Sequence, residues 1–325
     1  MLCRAKGFVI CHTVDLKIYS TTDFPSYLPK LNNLYDDLFD GGKGFRAKLT
    51  QMVAECLQLN REAIHLLCQT VEFIHNSSLL HDDLIDRSNL RRGKTAAWVK
   101  FTPEYAVLAG DYLLARVMVN LSQYGNIELI QLTSKAISDL IEGEWLQDDH
   151  VKKINVTKEQ MDQVHILKTG SLFQWCMRAP FLAAGISSPQ IHVELRKLGE
   201  ILGLLLQRSD DLLDFDIRNG EQKNIMGDLR AGYVNSFCAF LFYDLSETER
   251  QRLSQNTDLQ KFKIAIGESY FLKKLEQFDQ LNQKLIDDYQ KTLSQVASHL
   301  TGDVAKNLVE VLTQLPQPIY WREAP

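Results

Sequence analysis

Two short stretches carry residues whose types and spacing imply chemistry. In Val71–Gly93, VEFIHNSSLLHDDLIDRSNLRRG, an apolar helical run ends in Asp82, Asp83 and Asp86, followed by Arg91 and Arg92. At helical spacing Asp86 lies one turn beyond both Asp82 and Asp83, so the three carboxylates crowd one side. They fall near the C-terminal end of the helix, where the macrodipole already disfavours negative charge. Such a cluster is costly unless cations neutralise it. Oxygen-only ligands suit Mg2+, which keeps several waters and commonly bridges one or two carboxylates to a substrate diphosphate. Alone, the motif reads more simply as a solvated acidic helix end.

It is repeated. Gln207–Asp216, QRSDDLLDFD, follows the apolar Ile201, Leu202, Leu204, Leu205 and Leu206, and Asp210, Asp211 and Asp214 reproduce the first spacing. Two copies of a costly arrangement, each closing a long apolar helix, are hard to assign to surface decoration. The simplest geometry has the two helices facing each other across a cavity, with metal and diphosphate between the carboxylates.

The elements that must position these residues are helical. Apolar periodicity predicts helices over Tyr27–Phe39, from about Phe45 to Leu57, over Arg61–Leu84, from near Ala106 after Pro103, and over Ile127–Gln147. Further helices are expected over Lys158–Met177, Gln190–Phe215 and, within 235–315, most clearly Asp288–Leu300. Gly41–Gly44 is a turn signal, Asn89–Thr95 a basic loop and Pro180 a break, while Asp148–Val156 and Asn219–Gly232 read as loops. Strand-like alternation and linker composition are lacking. The expectation is one all-α domain over 21–325, preceded by an N-terminal arm at 1–20. Ligand sites in helical bundles form between facing helices.

Composition narrows the function classes. A hydrophobic fraction of 45% over 325 residues supports a sizeable core. A net charge of −5 and a pI near 5.9 argue against a nucleic-acid-binding surface. The six cysteines form no CxxC pair and read as reduced, mostly buried thiols. The apolar run Phe8–Cys11 is too short for a secretory signal, and no run approaches a membrane span. A cytoplasmic protein is expected, with peripheral membrane contact left open.

The motif set also resembles a known family. GGKGFR, EFIHNSSLLHDDLIDRSNLRRGK, VLAGDYLLAR, EGEWLQ, KTGSL and GLLLQRSDDLLD resemble, in order, the blocks of the trans-prenyltransferases, the polyprenyl (isoprenyl) diphosphate synthases. The similarity runs from about Phe24 to the end and is nearest the medium- and long-chain synthases. It implies an isoprenoid-synthase-type helical bundle around a central cavity, and a homodimer. The implied reaction is Mg2+-dependent condensation of isopentenyl diphosphate with an allylic diphosphate, giving a medium- or long-chain trans-polyprenyl diphosphate. A long product would bring the protein into peripheral contact with a membrane.

The resemblance also assigns residues. Asp82, Asp83, Asp86, Asp210, Asp211 and Asp214 would hold the Mg2+ cluster. Arg91, Lys168 and Lys223 would take the allylic diphosphate, and Lys43, Arg46, His75 and Arg92 the diphosphate of isopentenyl diphosphate. Thr169 and Gln207 would flank the reacting carbons. By residue type alone, His75 is more simply a satisfied core histidine, and Lys168 and Thr169 carry almost no signal. In this family, residues four and five before the first aspartate line the elongation pocket. Here they are the small Ser78 and Ser77, which predict an open floor, with Phe73 one turn deeper as a lower stop.

Some positions depart from the pattern. Tyr233 stands where a second lysine is expected. Arg208 and Ser209 replace apolar residues beside Asp210, and Arg208 is placed to pair with an acidic neighbour. Pro316 and Pro318 are expected to break the last helix, leaving Arg322 as the only basic residue of the tail. Two alternatives follow. One is a class I terpene cyclase or irregular coupling enzyme, against which Asp214, Lys43 and Arg46 argue. The other is a non-catalytic partner subunit of a prenyl synthase, against which both intact aspartate motifs argue.

Overall fold

The computed structural model describes residues 18–19, 23–32, 44–91, 93–215 and 225–320. Lys43, Arg92 and Lys223, most of the expected Tyr27–Phe39 helix, and Arg322 lie outside them. The described chain is all-α apart from one minimal hairpin. In order it runs α1 (Phe45–Cys56), α2 (Arg61–Ile85), β1 (Leu90–Arg91), β2 (Lys94–Thr95), α3 (Ala97–Lys100), α4 (Pro103–Tyr124) and α5 (Ile127–His150). Then come α6 (Lys158–His165), a π-helical turn (Ile166–Gly170), α7 (Ser171–Ala183) and α8 (Pro189–Leu213). The remainder is α9 (Gly227–Ala231), α10 (Ser236–Phe242), α11 (Glu247–Ser254), α12 (Leu259–Ile266), α13 (Glu268–Ser298), α14 (Gly302–Leu312) and α15 (Pro316–Tyr320). Among these described residues no helix is long and apolar enough to cross a membrane.

Local chemistry sets several helix starts. Asn60, Thr102 and Thr157 accept backbone N–H groups with their side chains at the starts of α2, α4 and α6, and α6 carries a full capping box with Gln160. Gly44 begins α1 at φ 55°, a left-handed conformation that favours glycine and explains the end of the Gly41–Gly44 run. Three expectations are corrected. The 89–95 loop is a tight antiparallel hairpin pairing Leu90 with Thr95 and Arg91 with Lys94. The expected 158–177 helix is interrupted by a π-helical turn at Ile166–Gly170. Pro180 does not end the helix: it lies inside α7, and its carbonyl accepts the Ala184 N–H at 2.9 Å, so only its own missing N–H bond to the preceding turn is lost.

Backbone contacts part the chain into two compact units. The amino-terminal unit comprises the described residues of 9–137 and 175–188. Here α2 packs along both α1 and α4. Its core includes Leu49, Val53, Leu67, Val71, Ile74, Leu113, Val117 and Leu121, all buried. The carboxyl-terminal unit comprises the described residues of 138–174 and 189–325. In it α8 packs on α13, α15 and the π turn. Phe215, Phe237, Phe262, Phe271 and Phe278 stack edge-to-face or tilted, with neighbouring ring centroids 5.2 to 6.1 Å apart. Each such buried ring contributes about 1.5–3 kcal/mol by its removal from water. This cluster holds Phe215, the residue just beyond Asp214.

Candidate active site

The amino-terminal unit holds an arginine–histidine pair and one carboxylate row. Glu72 and His75 lie on α2 one turn apart. Glu72 is buried; its Oε1 accepts the backbone N–H of Ala47 at 3.1 Å, and its Oε2 accepts the Tyr19 hydroxyl at 3.3 Å. That carboxylate fixes the first turn of α1. Arg46 is thereby held with its Nη1 3.2 Å from His75 Nε2. Since guanidinium only donates, Nε2 accepts and the imidazole is neutral there. Arg46 and His75, both expected at one diphosphate, are thus in direct contact, beside Glu72, which sequence reasoning had not singled out.

Farther along α2, the three carboxylates differ in setting. Asp82 is half-buried and Asp86 exposed. Asp83 is buried, and its Oδ1 accepts Arg91 Nε at 2.8 Å together with the Arg91 Nη2 group. The short β1–β2 hairpin is what turns Arg91 back onto Asp83. Ser77 is buried and donates its hydroxyl to the Gly110 carbonyl on α4 at 2.9 Å. Ser78 is half-buried, its hydroxyl on the His75 carbonyl at 2.9 Å. Phe73 is fully buried, stacked against Tyr19 and Phe24 with ring centroids 6.1 and 6.5 Å away.

The carboxyl-terminal unit holds the other set. Lys168 sits in the π turn, a widened backbone that recurs at functional sites. Its Nζ donates to Gln147 Oε1 at 2.9 Å and pairs with Glu144. Both partners lie on α5 within the EGEWLQ block, one turn apart. Their spacing was a readable signal, but not which cation they meet. Thr169 in the same turn is buried, and Gln207 on α8 half-buried.

Asp210 is half-buried. Asp211 is buried, and its Oδ2 accepts both the Ser236 N–H at 2.8 Å and the Ser236 hydroxyl at 2.5 Å. Burial, then repulsion from the Asp228 carboxylate, pushes the Asp211 carboxyl up to about 8. Asp214 caps α9 from a distance, its Oδ1 accepting Gly227 N–H at 2.6 Å and Asp228 N–H at 3.3 Å. Burial also holds the neighbouring His165 down to about 4. Its Nε2 lies 3.7 Å from Asp211.

All six candidate donors are carboxylates, the ligand type that suits a hard divalent cation, while among the described residues no three such side chains converge into a ready-made cation cluster. Within each set, one or two carboxylates reach solvent while the others are held by backbone or arginine donors behind them.

Comparison with known proteins agrees with this architecture. The decaprenyl diphosphate synthase of Rhodobacter capsulatus superposes with a TM-score of 0.79 at 24% identity, covering 92% of this chain and 93% of that one. A polyprenyl synthase from Caulobacter crescentus CB15, solved complexed with calcium and isoprenyl diphosphate, gives 0.70 at 25% identity over 93% and 92%. The fold is therefore the all-α isoprenoid-synthase type. The polyprenyl synthetase family model matches residues 28–269, and the chain belongs to that family. The octaprenyl diphosphate synthase of Escherichia coli (strain K12) is 34% identical over 194 residues. That match covers 59% of each protein, so the chain spans well under the full length of this curated relative.

Proposed function

We propose that this chain is a Mg2+-dependent prenyltransferase. It would condense isopentenyl diphosphate with an allylic diphosphate to give a medium- or long-chain trans-polyprenyl diphosphate. The observation that carries the reading is the repeated carboxylate set: in one unit Arg91 is held on Asp83, and in the other Lys168 is held by Glu144 and Gln147 on the π turn that packs against α8, the helix carrying the second set. The calcium and isoprenyl diphosphate of the Caulobacter protein support the ligand classes, and the name of the octaprenyl relative supports the product class.

Asp82, Asp86 and Asp210, which reach solvent, are the direct ligand candidates for Mg2+. Asp83, Asp211 and Asp214 complete the set from behind and fix the geometry of their helix ends. When bound, the metal stabilises the charge that develops on a leaving diphosphate. The chain's own groups share that task. Lys168, Arg91 and Lys223 would bind the allylic diphosphate, and releasing Lys168 from Glu144 and Gln147 lets its ammonium meet it. Arg46, His75, Lys43 and Arg92 would hold the second diphosphate. The allylic C–O bond breaks with its electron pair going to diphosphate; the alkene of isopentenyl diphosphate then attacks the cation, and the departing diphosphate accepts the proton lost. Thr169 and Gln207 flank the carbons and exclude water. A homodimer and a cytoplasmic setting belong to the same reading, the second supported by buried free thiols such as Cys68 and Cys176.

The test is incubation of the purified protein with Mg2+, isopentenyl diphosphate and separate allylic primers, with products resolved by chain length. A ladder ending at a long product is expected, absent in Asp82→Ala and in Asp210→Ala, which should keep the wild-type fold. Diphosphate release without isopentenyl diphosphate would point to a cyclase. No turnover with any primer would point to a partner subunit.

A further inference from the structure

Arg208 is a charged residue where the buried face of α8 is otherwise leucine-rich, and only 4% of it is exposed. It stands between Gln207 and Ser209, two residues before Asp210. Its Nε lies 3.1 Å from Asp162 Oδ1, and its Nη2 lies 2.8 Å from each Asp162 oxygen. Nη1 donates to Asn282 Oδ1 at 2.8 Å, and the guanidinium lies over the Phe278 ring. The chain of donors continues in one direction. Asn282 Nδ2 donates to the Tyr320 hydroxyl at 2.9 Å, and Tyr320 donates to Asp279 Oδ1 at 2.6 Å. Arg208, Asn282 and Tyr320 are all buried, and they tie α6, α8, α13 and α15 together.

A buried ion pair is a poor way to gain stability, because apolar residues of similar volume commonly do as well or better. What the planar guanidinium supplies is fixed orientation toward a carboxylate. Asp162 lies on α6 one turn before His165, where the chain enters the π turn that presents Lys168 and Thr169. Arg208 lies on the turn of α8 that presents Gln207 and Asp210. We propose that Arg208 is a positioning residue: through Asp162 it sets the Lys168 turn against the Asp210 end of α8, and through Asn282 and Tyr320 it makes the Pro316–Tyr320 helix part of that lock. This rests on the reading of Lys168 and Asp210 as groups that bind a metal–diphosphate.

The experiment is calorimetric binding of inorganic diphosphate in the presence of Mg2+, with melting temperature and prenyl transfer measured on the same samples. In the double variant Arg208→Met/Asp162→Leu, apolar packing replaces the pair. Since buried Asn282 Oδ1 loses its donor and Lys158 loses Asp162, it should stay folded but melt somewhat below the wild type, and bind Mg2+–diphosphate about 10-fold more weakly, the loss usual when the support of a ligand shell is removed. Tyr320→Phe, which deletes only the distant hydroxyl, should lose about threefold, with Arg208→Lys intermediate between wild type and the double variant. Wild-type binding by the folded double variant, or by Tyr320→Phe should the double variant not fold, would overturn the positioning role. A wild type that binds Mg2+–diphosphate but transfers no prenyl group would instead overturn the synthase reading and leave Arg208's role standing. A wild type that does neither overturns both.

Discussion

Ser77 and Ser78 are adjacent in sequence and differ in surroundings. Ser77 is buried with its hydroxyl on the Gly110 carbonyl, so its neighbour is the backbone of α4. That contact is tight from the other side too: a Cβ at Gly110 would stand 2.2 Å from His81 Nε2. A phenylalanine at 77 must push α2 and α4 apart, at a cost of about 1–3 kcal/mol. Ser78 is half-buried and bonds only within its own helix turn, to His75 O. Ser78→Phe should therefore shorten the prenyl product with little change in melting temperature, while Ser77→Phe should lower the melting temperature first. Chromatographic chain lengths and thermal melts on both variants check this. An unchanged product in Ser78→Phe would move the floor elsewhere, Phe73 being the next candidate.

At the scale of elements, glycine-mediated approach governs the carboxyl-terminal unit. A Cβ at Gly143 on α5 would stand 2.7 Å from Lys168 Cγ and 2.9 Å from the Lys168 backbone nitrogen. A Cβ at Gly203 on α8 would stand 2.5 Å from Gly170 Cα, at the end of the same π turn. The turn is thus pressed between two helices, each approaching through a glycine. Since backbone cannot yield as a side-chain tip can, Gly143→Ala should displace the turn and carry the Lys168 ammonium with it. Misplacement of about 1 Å costs on the order of 100-fold in rate. The expected result is that loss in kcat with the helical circular-dichroism spectrum retained; a near-wild-type rate would show that the turn slides without consequence.

Across the whole molecule, stability depends on pH through histidines held neutral. His150, buried at the end of α5, has its pKa lowered from 6.5, first by burial and then by Lys153, against the opposing pull of Asp149. The unfolded chain takes up this proton near 6.5, whereas the folded chain resists it. Stability from this group is therefore complete above that pH and declines as pH falls through and below it. His150→Gln removes the effect, so its melting temperature should fall less than that of the wild type between pH 7 and pH 5. Parallel melts at the two pH values measure it, and parallel declines would assign the acid sensitivity to other groups.

Much of the protein is determined by local sequence. Helical periodicity places Arg61–Ile85 and Pro189–Leu213 within a few residues, because helix formation is decided by hydrogen bonds and side-chain contacts within four residues. The two aspartate rows are legible for the same reason, and with the ordered blocks they point to the family. The tertiary structure alone decided which distant groups meet. Lys168 meets Glu144 and Gln147, Asp211 meets Ser236, and Arg208 meets Asp162 and Asn282, contacts spanning 21 to 74 residues. Sequence could place Arg208 beside some acid but not choose among them, and it gave no sign that a buried C-terminal Tyr320 would complete the network. The π turn and the hairpin that folds Arg91 onto Asp83 were likewise hidden. Both are short departures from helix, enforced by close packing and ion pairing, whose energies local periodicity does not contain.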